Sequence, residues 1–358
     1  MFLKIPNCFK VLIVSLFMNS SLLAQKVDLD KYYFDAEIKS LPTNPLPAGN
    51  RTYSVNSRGS SIANEAVANG SVIDRVYVSG FKKVEGRAHI NFNFEFGDLY
   101  ITSAVTSTRK EENKDKNNVV TSTKYYYKKI VTYSFSITSK LTDEKGTVIG
   151  NFSSSNSNLT WSSTEFGSSS DAENYYRNSY NDIRREICSS HINGTINDAN
   201  RTVNAKYGYV DSKNRDYLWI EAAKKFPEYQ AQQDNWLLTK AFISTLKGNE
   251  AISTDQMAQV KPILEYFQSV KTKYTADEKS DKKMRYQAYF TLATLYLLID
   301  DLDAAQKEAE GLIVNDYDTK DGKRFLEEIG KIRKLFEVNG VATRHYFMDP
   351  EMNTPPSR

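Results

Sequence analysis

The stretch from Tyr286 to Ile313 reads YQAYFTLATLYLLIDDLDAAQKEAEGLI, and the reading of the whole chain turns on it. Apolar residues recur at three- and four-residue spacing on both sides of Asp300-Asp301, and small residues fall where two helices would cross. That spacing predicts a helix, a tight turn and a second helix. The surrounding composition, rich in Ala, Leu, Lys, Glu and Gln, begins at Asp216. It predicts helices near 217–226, 230–247, 255–272, 281–298, 301–314 and 320–337. Breaks at Phe226-Pro227, Lys247-Gly248-Asn249, Tyr274 to Ser280, Asp300-Asp301 and Asp318 to Gly322 are short, which favours antiparallel pairs. An all-α domain is therefore expected over 216–338, with a flexible proline-bearing tail over 344–358.

Upstream the period changes from helical to two. In HINFNFEF (89–96), Ile90, Phe92, Phe94 and Phe96 share one face, and His89, Asn91, Asn93 and Glu95 the other. VTYSFSIT (131–138) alternates likewise, and Asp143 to Gly146 supplies a hairpin turn. RKEENKDKNN (109–118) has no apolar anchor and is expected as a solvated hairpin tip. The Ser-rich run 153–170 is expected as a connection ending in a capping box of Ser170 and Glu173. A long amphipathic helix, 171–207, should follow and cover the open face of the sheet, with Tyr176, Tyr180, Ile183, Ile187, Ile192, Ile196, Ala199, Val203 and Tyr207 inward and one slip in the spacing near His191. Gly194 is a candidate kink and Gly208 a candidate stop. The fold class expected is α+β: an N-terminal antiparallel sheet covered by a long helix, then the all-α helical-hairpin domain. The first of these spans 51–208, preceded by an extended N-terminal segment, 25–50, whose first part reads as a strand and whose Pro42, Pro45 and Pro47 make an extended connector.

The N-terminus reads as a secretory signal peptide, 1–24. Lys4 and Lys10 precede the apolar run VLIVSLF, which is too short to span a bilayer, and Ala24 offers a small residue before a cut. No cysteine follows that run, so the expectation is an exported, soluble protein, periplasmic or extracellular, and not a lipoprotein. Of 47 basic and 44 acidic residues the segment removes two lysines and no acid, leaving about +1. That balance gives no field to recruit nucleic acid, and no later stretch is apolar enough to cross a membrane. Cys188 alone would remain, reading as a buried small hydrophobe rather than a reactive thiol.

Chemistry is thinly represented. His89, His191 and His345 are far apart and none sits in a metal-ligand spacing. FGSSSD near Ser168 is a Ser-rich loop, not a nucleophile elbow, and no Gly-rich phosphate loop occurs. No catalytic, metal or cofactor-binding residue is nominated, no cofactor is expected, and the expectation is a protein that is not an enzyme. Sequons recur at Asn50, Asn69, Asn151, Asn158, Asn193 and Asn200 and would matter only in a eukaryotic secretory pathway.

Tyr289, Leu292-Ala293, Tyr296, Asp301-Leu-Asp303, Ala305 and Leu312 stand where the tetratricopeptide repeat places its aromatic, small and turn residues, and the stretch resembles one such unit. The terminal proline of the repeat is missing. A weaker preceding unit uses Trp236, Leu237, Ala241 and Phe242, then Pro262 to Phe267, across a longer connection. The resemblance implies stacked hairpins offering a concave face to a peptide or protein. Its exposed first-helix positions would be Gln287, Phe290, Thr294, Leu297 and Leu298, the candidate partner-binding residues. Three of the five are apolar, so this face is either a greasy groove or a packing surface for another element. The β part is similar, in architecture only, to small α+β domains of uncharacterised bacterial exported proteins. The expected function is a non-enzymatic scaffold binding an envelope protein partner. The alternative is a carbohydrate- or peptidoglycan-binding module using Trp161 or the tyrosines at 125–127.

Overall fold

The computed structural model describes residues 26–66 and 72–349, so the stretch read as a signal peptide and the last residues of the expected tail lie outside the described residues. The chain is α+β, and its contacts divide it into two units. One is Ser40–Val210 with Met348; the other joins the described residues up to Lys39 to Asp211–Phe347. Each has its own apolar core.

Strand β1 (Leu29–Ser40) belongs to the second of these units. In the first, β2 (Thr52–Gly59), the short helices α1 (Ser61–Ala66) and α2 (Val72–Arg75), β3 (Lys82–Lys83) and β4 (Ile90–Phe96) come in turn. They lead into a long hairpin of β5 (Tyr100–Lys114) and β6 (Val120–Asp143), followed by β7 (Val148–Asn151) and β8 (Ser154–Ser162). β6 is the spine of the sheet. β4 and β5 lie end to end along one of its edges and β7 and β8 along the other, all antiparallel to it. β2 adds parallel to β4, and β3 parallel to β2. Where β4 hands over to β5, a Cβ on Gly97 would lie 2.4 Å from Ser136 Oγ, so a larger residue there would have to displace that side chain.

The period-two reading of β4 and β6 holds at the level of side chains. Ile90, Phe92, Phe94 and Phe96 are buried, as are Val131, Tyr133, Phe135 and Ile137. Helices α3 (Ser169–Asn178) and α4 (Tyr180–Tyr207) follow; of the residues expected on the inner face, the seven from Ile183 to Tyr207 are in the core, Tyr176 is half-buried against it, and Tyr180 is corrected to an exposed position at the start of α4. Two buried asparagines on α4 act as surrogate backbone partners for the chain leaving α2, residues 75–79. Asn200 accepts from Tyr77 N and donates to Arg75 O, while Asn204 accepts from Ser79 N and donates to Tyr77 O. The sequon asparagine Asn200 is thus committed to the fold.

Several local expectations are corrected. The long helix breaks at Ser179, not Gly194, which lies inside an uninterrupted α4. The cap of α3 is Ser168, whose Oγ accepts from Asp171 N at 3.1 Å. Glu173 instead takes Lys129 Nζ at 2.5 Å, because Lys129 is buried and needs a counter-charge. The Ser-rich connection contains β8, whose serines line a strand paired to β6. The charged tip is strand as far as Lys114, and the turn is held by Asp115 accepting from Asn117 N and Val119 N.

His191 of α4 sits against the rings of Tyr133 and Phe135, its Nε2 2.8 Å from the Tyr133 hydroxyl. Burial holds its pKa below the usual histidine value. Below about pH 6.5 the unfolded chain therefore binds a proton the native imidazole refuses, and stability falls as pH falls. The expected result is a sheet unit that loses stability from pH 7 to 5, with a shallower slope in His191→Gln, read by thermal unfolding at each pH.

In the second unit, β9 (Val210–Glu221) pairs with β1. The strands are antiparallel, since Ala222 N donates to Asp28 O at one end and Ser212 Oγ to Ile38 O at the other. Then come α5 (Tyr229–Thr245), α6 (Thr254–Lys273), α7 (Lys279–Leu298), α8 (Leu302–Asn315) and α9 (Thr319–Asn339), each packed on the next. The helix expected over 217–226 is corrected to the end of β9 and a turn. Leu218 and Ile220 alternate inward, and Pro227 follows before a helix can form. The extended N-terminal segment, its first part expected as a strand, supplies β1 to the helical unit. The tail expected to be flexible from Arg344 is packed through Met348: His345 is 1 % exposed and Met348 7 %.

Candidate functional site

The hairpin of α7 and α8 is built as its small residues suggest. Ala293, Ala305, Ala309 and Leu312 are fully buried. A Cβ on Gly311 would lie 2.2 Å from the Tyr289 ring, so the aromatic of α7 is seated on a bare backbone of α8. Asp301 caps α8 by accepting from Ala304 N at 3.0 Å.

The five candidate partner-binding residues come together on one face of α7, and all five are buried there: Gln287 0 %, Phe290 1 %, Thr294 3 %, Leu297 6 % and Leu298 9 % exposed. The chain itself fills the face, which corrects the reading of it as an exposed groove. Gln287 Nε2 donates to the Trp219 carbonyl of β9 at 2.7 Å, and its Oε1 accepts from Gln232 of α5 at 3.1 Å. Phe290 stacks on Tyr217 of β9 at 5.5 Å between centroids and meets Phe325 of α9 edge-on at 5.1 Å. Thr294 Oγ1 donates back to Phe290 O. The far end is closed by residues 343–346. Arg344 donates to the Leu297 carbonyl and through Nε to Asp300 at 2.7 Å, and His345 Nε2 lies 2.8 Å from the Leu298 carbonyl. His345 Nδ1 is also 2.8 Å from the Lys247 carbonyl, so both ring nitrogens face acceptors. The signal for a filled face was Gln287 itself: a buried amide on an apolar stripe needs a backbone partner.

Beneath the same strand lies a polar cluster. Glu221 Oε1 accepts from Asp28 N at 3.1 Å and Ala223 N at 2.7 Å, while its amide donates to Gln232 Oε1 at 2.7 Å. Burial raises the Glu221 carboxyl above the usual range. Glu228 takes Tyr266 at 3.0 Å and Tyr274 at 3.3 Å as well as Lys273. These bonds pin β9, α5 and α6 together. Among the described residues no group of three or more His, Cys, Asp or Glu is placed to hold a metal ion.

An apolar groove of about 700 Å³ stays open between α6 and the turn that follows α7. Met257, Ala258 and Leu264 of α6 form one wall, and Tyr296 and Ile299 the other. Met257 is 42 % exposed at the groove. Sequence reasoning missed this groove because its walls come from two helices, and spacing along the chain does not say how side chains of one face those of the other. In the sheet unit, Trp161 donates its indole N–H to Glu186 at 3.2 Å and packs on the core, whereas Tyr125 is half exposed.

No family model matches the chain, and no curated protein matches it. Among solved structures, it is similar to the solution NMR structure of uncharacterised lipoprotein B from Nitrosomonas europaea, at 12 % identity and a TM-score of 0.19. That alignment covers 42 % of this chain and 84 % of that one. A lipoprotein as structural neighbour runs against the expectation that this chain is not one, and the expectation is withdrawn. At that TM-score the likeness carries no argument about anchoring or function. No helix among the described residues is long and apolar enough to cross a membrane.

Proposed function

We propose that the chain is a non-enzymatic interaction protein that binds an envelope protein partner through its tetratricopeptide-like helical unit. The observation that carries this reading is the groove at Met257, Leu264, Tyr296 and Ile299, open while the five-residue face of α7 is filled by the chain's own strand. Lys261, Glu265 and Asp301 rim an apolar floor. An apolar floor with a polar rim suits the apolar face of a partner's amphipathic helix, whose anchors recur at three- and four-residue spacing. A photo-crosslinking residue at Met257 is expected to capture the same protein from repeated envelope preparations, with Leu264→Glu cutting the yield roughly tenfold. Equal, indiscriminate capture from Met257 and from the exposed control position Val314 removes the reading.

A second reading, a carbohydrate-binding module, rests on Tyr100 and Tyr125, which are 65 % and 50 % exposed on the sheet unit. Retention on a glycan column that Tyr125→Ala abolishes would move the function there.

A further inference from the structure

β5 pairs with β6 on one side, and among the described residues nothing pairs with its other edge. An unpaired edge presents a row of free N–H and C=O groups, and proteins commonly blunt such edges with charge, proline or a bulge. Here Ile101 to Thr108 reads ITSAVTST, with no charge, no proline and no glycine, and with the β-branched residues that favour pairing. A bulge between Ile101 and Ser103 bounds this stretch at one end. At the other, the block Arg109 to Glu112 begins, its charges already paired: Arg109 with Glu165 and Glu111, Lys110 with Glu112. In the middle stands Val105, 54 % exposed.

We propose that this edge takes the same edge of a second copy, antiparallel, about a two-fold axis perpendicular to the sheet through Val105. Such an axis keeps each side chain on its own face, so a residue can oppose only one an even number of positions away. Centred on Val105, it sets Val105 against its own copy, Ala104 against Thr106, and Ser103 against Ser107. No like charges oppose one another, and the exposed valine gains an apolar neighbour on the same face. The bulge and the charged block stop the pairing at either end, which confines it to one register. Two sheets thereby become one, each copy covering the other's open edge. The inference rests on β5 alone and stands apart from the groove on the helical unit.

Sedimentation equilibrium of the full chain over a concentration series tests it. A concentration-dependent dimer is expected, with Val105→Lys weakening association roughly tenfold or more and Val148→Lys, on exposed β7, leaving it unchanged. Under mild oxidation Val105→Cys should form a disulfide-linked dimer at least roughly tenfold faster than Val148→Cys, since directly opposed Cβ atoms in an antiparallel pair lie about 4.5–5.5 Å apart. A monomer at every concentration, a dimer indifferent to Val105→Lys, or equal cross-linking at the two positions overturns it. The cysteine comparison decides the matter even where the lysine variant folds poorly.

Discussion

Phe290→Ala is expected to lower the stability of the helical unit by about 3–5 kcal/mol, read as an earlier urea midpoint with an unchanged slope. Phe290 is 1 % exposed and meets three aromatic rings: Tyr217 of β9 at 5.5 Å, Tyr286 one turn earlier on its own helix at 6.1 Å, and Phe325 of α9 at 5.1 Å. Truncation removes a large apolar area and leaves a cavity that three separately anchored rings cannot collapse to fill. Had the face of α7 been a vacant groove, the same change would have cost well under about 1 kcal/mol in the free protein and affected only partner binding. A loss that small, with partner capture impaired instead, would restore the groove reading. The far-ultraviolet signal of the helices should follow the transition, while the sheet unit, with a separate core, keeps its own midpoint.

The same face shows where the sequence was legible and where it was not. Local periodicity sufficed for β4, β6 and α4, because each buries one face and the pattern of two or 3.6 survives in the residue types. The Tyr289–Gly311 contact is also local, made within one hairpin. What periodicity cannot supply is the identity of a distant neighbour. β1 and β9 are separated by some 170 residues of chain, and nothing in VDLDKYYFDAEIKS names DYLWIE as its partner. The misreading of 217–226 has the same root. Ala222, Ala223, Lys224 and Lys225 pull the window toward helix, whereas the tertiary pairing of Tyr217 to Glu221 with β1 fixes the strand. Because the filling of the α7 face depends on that strand, the error over one segment became an error over the candidate site. β8 was hidden differently: serine is neutral in pattern, and its strand is imposed by the alternate edge of β6.

Glu308→Ala is expected to cost about 3–5 kcal/mol, and for a reason opposite to that of Phe290. Glu308 of α8 is 2 % exposed and accepts from Lys271 Nζ at 2.5 Å and Gln268 Nε2 at 2.9 Å, both on α6. Lys271 is itself largely buried, 4.7 Å over the Tyr289 ring, and burial already draws its pKa down while Glu308 opposes the shift. Removing the carboxylate strands an ammonium group inside the protein, whereas removing both charges strands nothing. The double change Lys271→Met with Glu308→Leu should therefore recover the parent's stability or exceed it by about 1–4 kcal/mol, although each single change is damaging. Chemical denaturation of the four proteins measures the coupling directly, and additive losses would show that the pair contributes through packing alone. The pair also bears on function. Gln268 both bonds Glu308 and lines the apolar groove, so this joint ties α6 to α8 beside the groove. The stable double variant, which keeps the helices packed but lacks the charged tether, separates the two roles: if groove width is set by the tether, its capture of the partner at Met257 falls even though its unfolding midpoint does not.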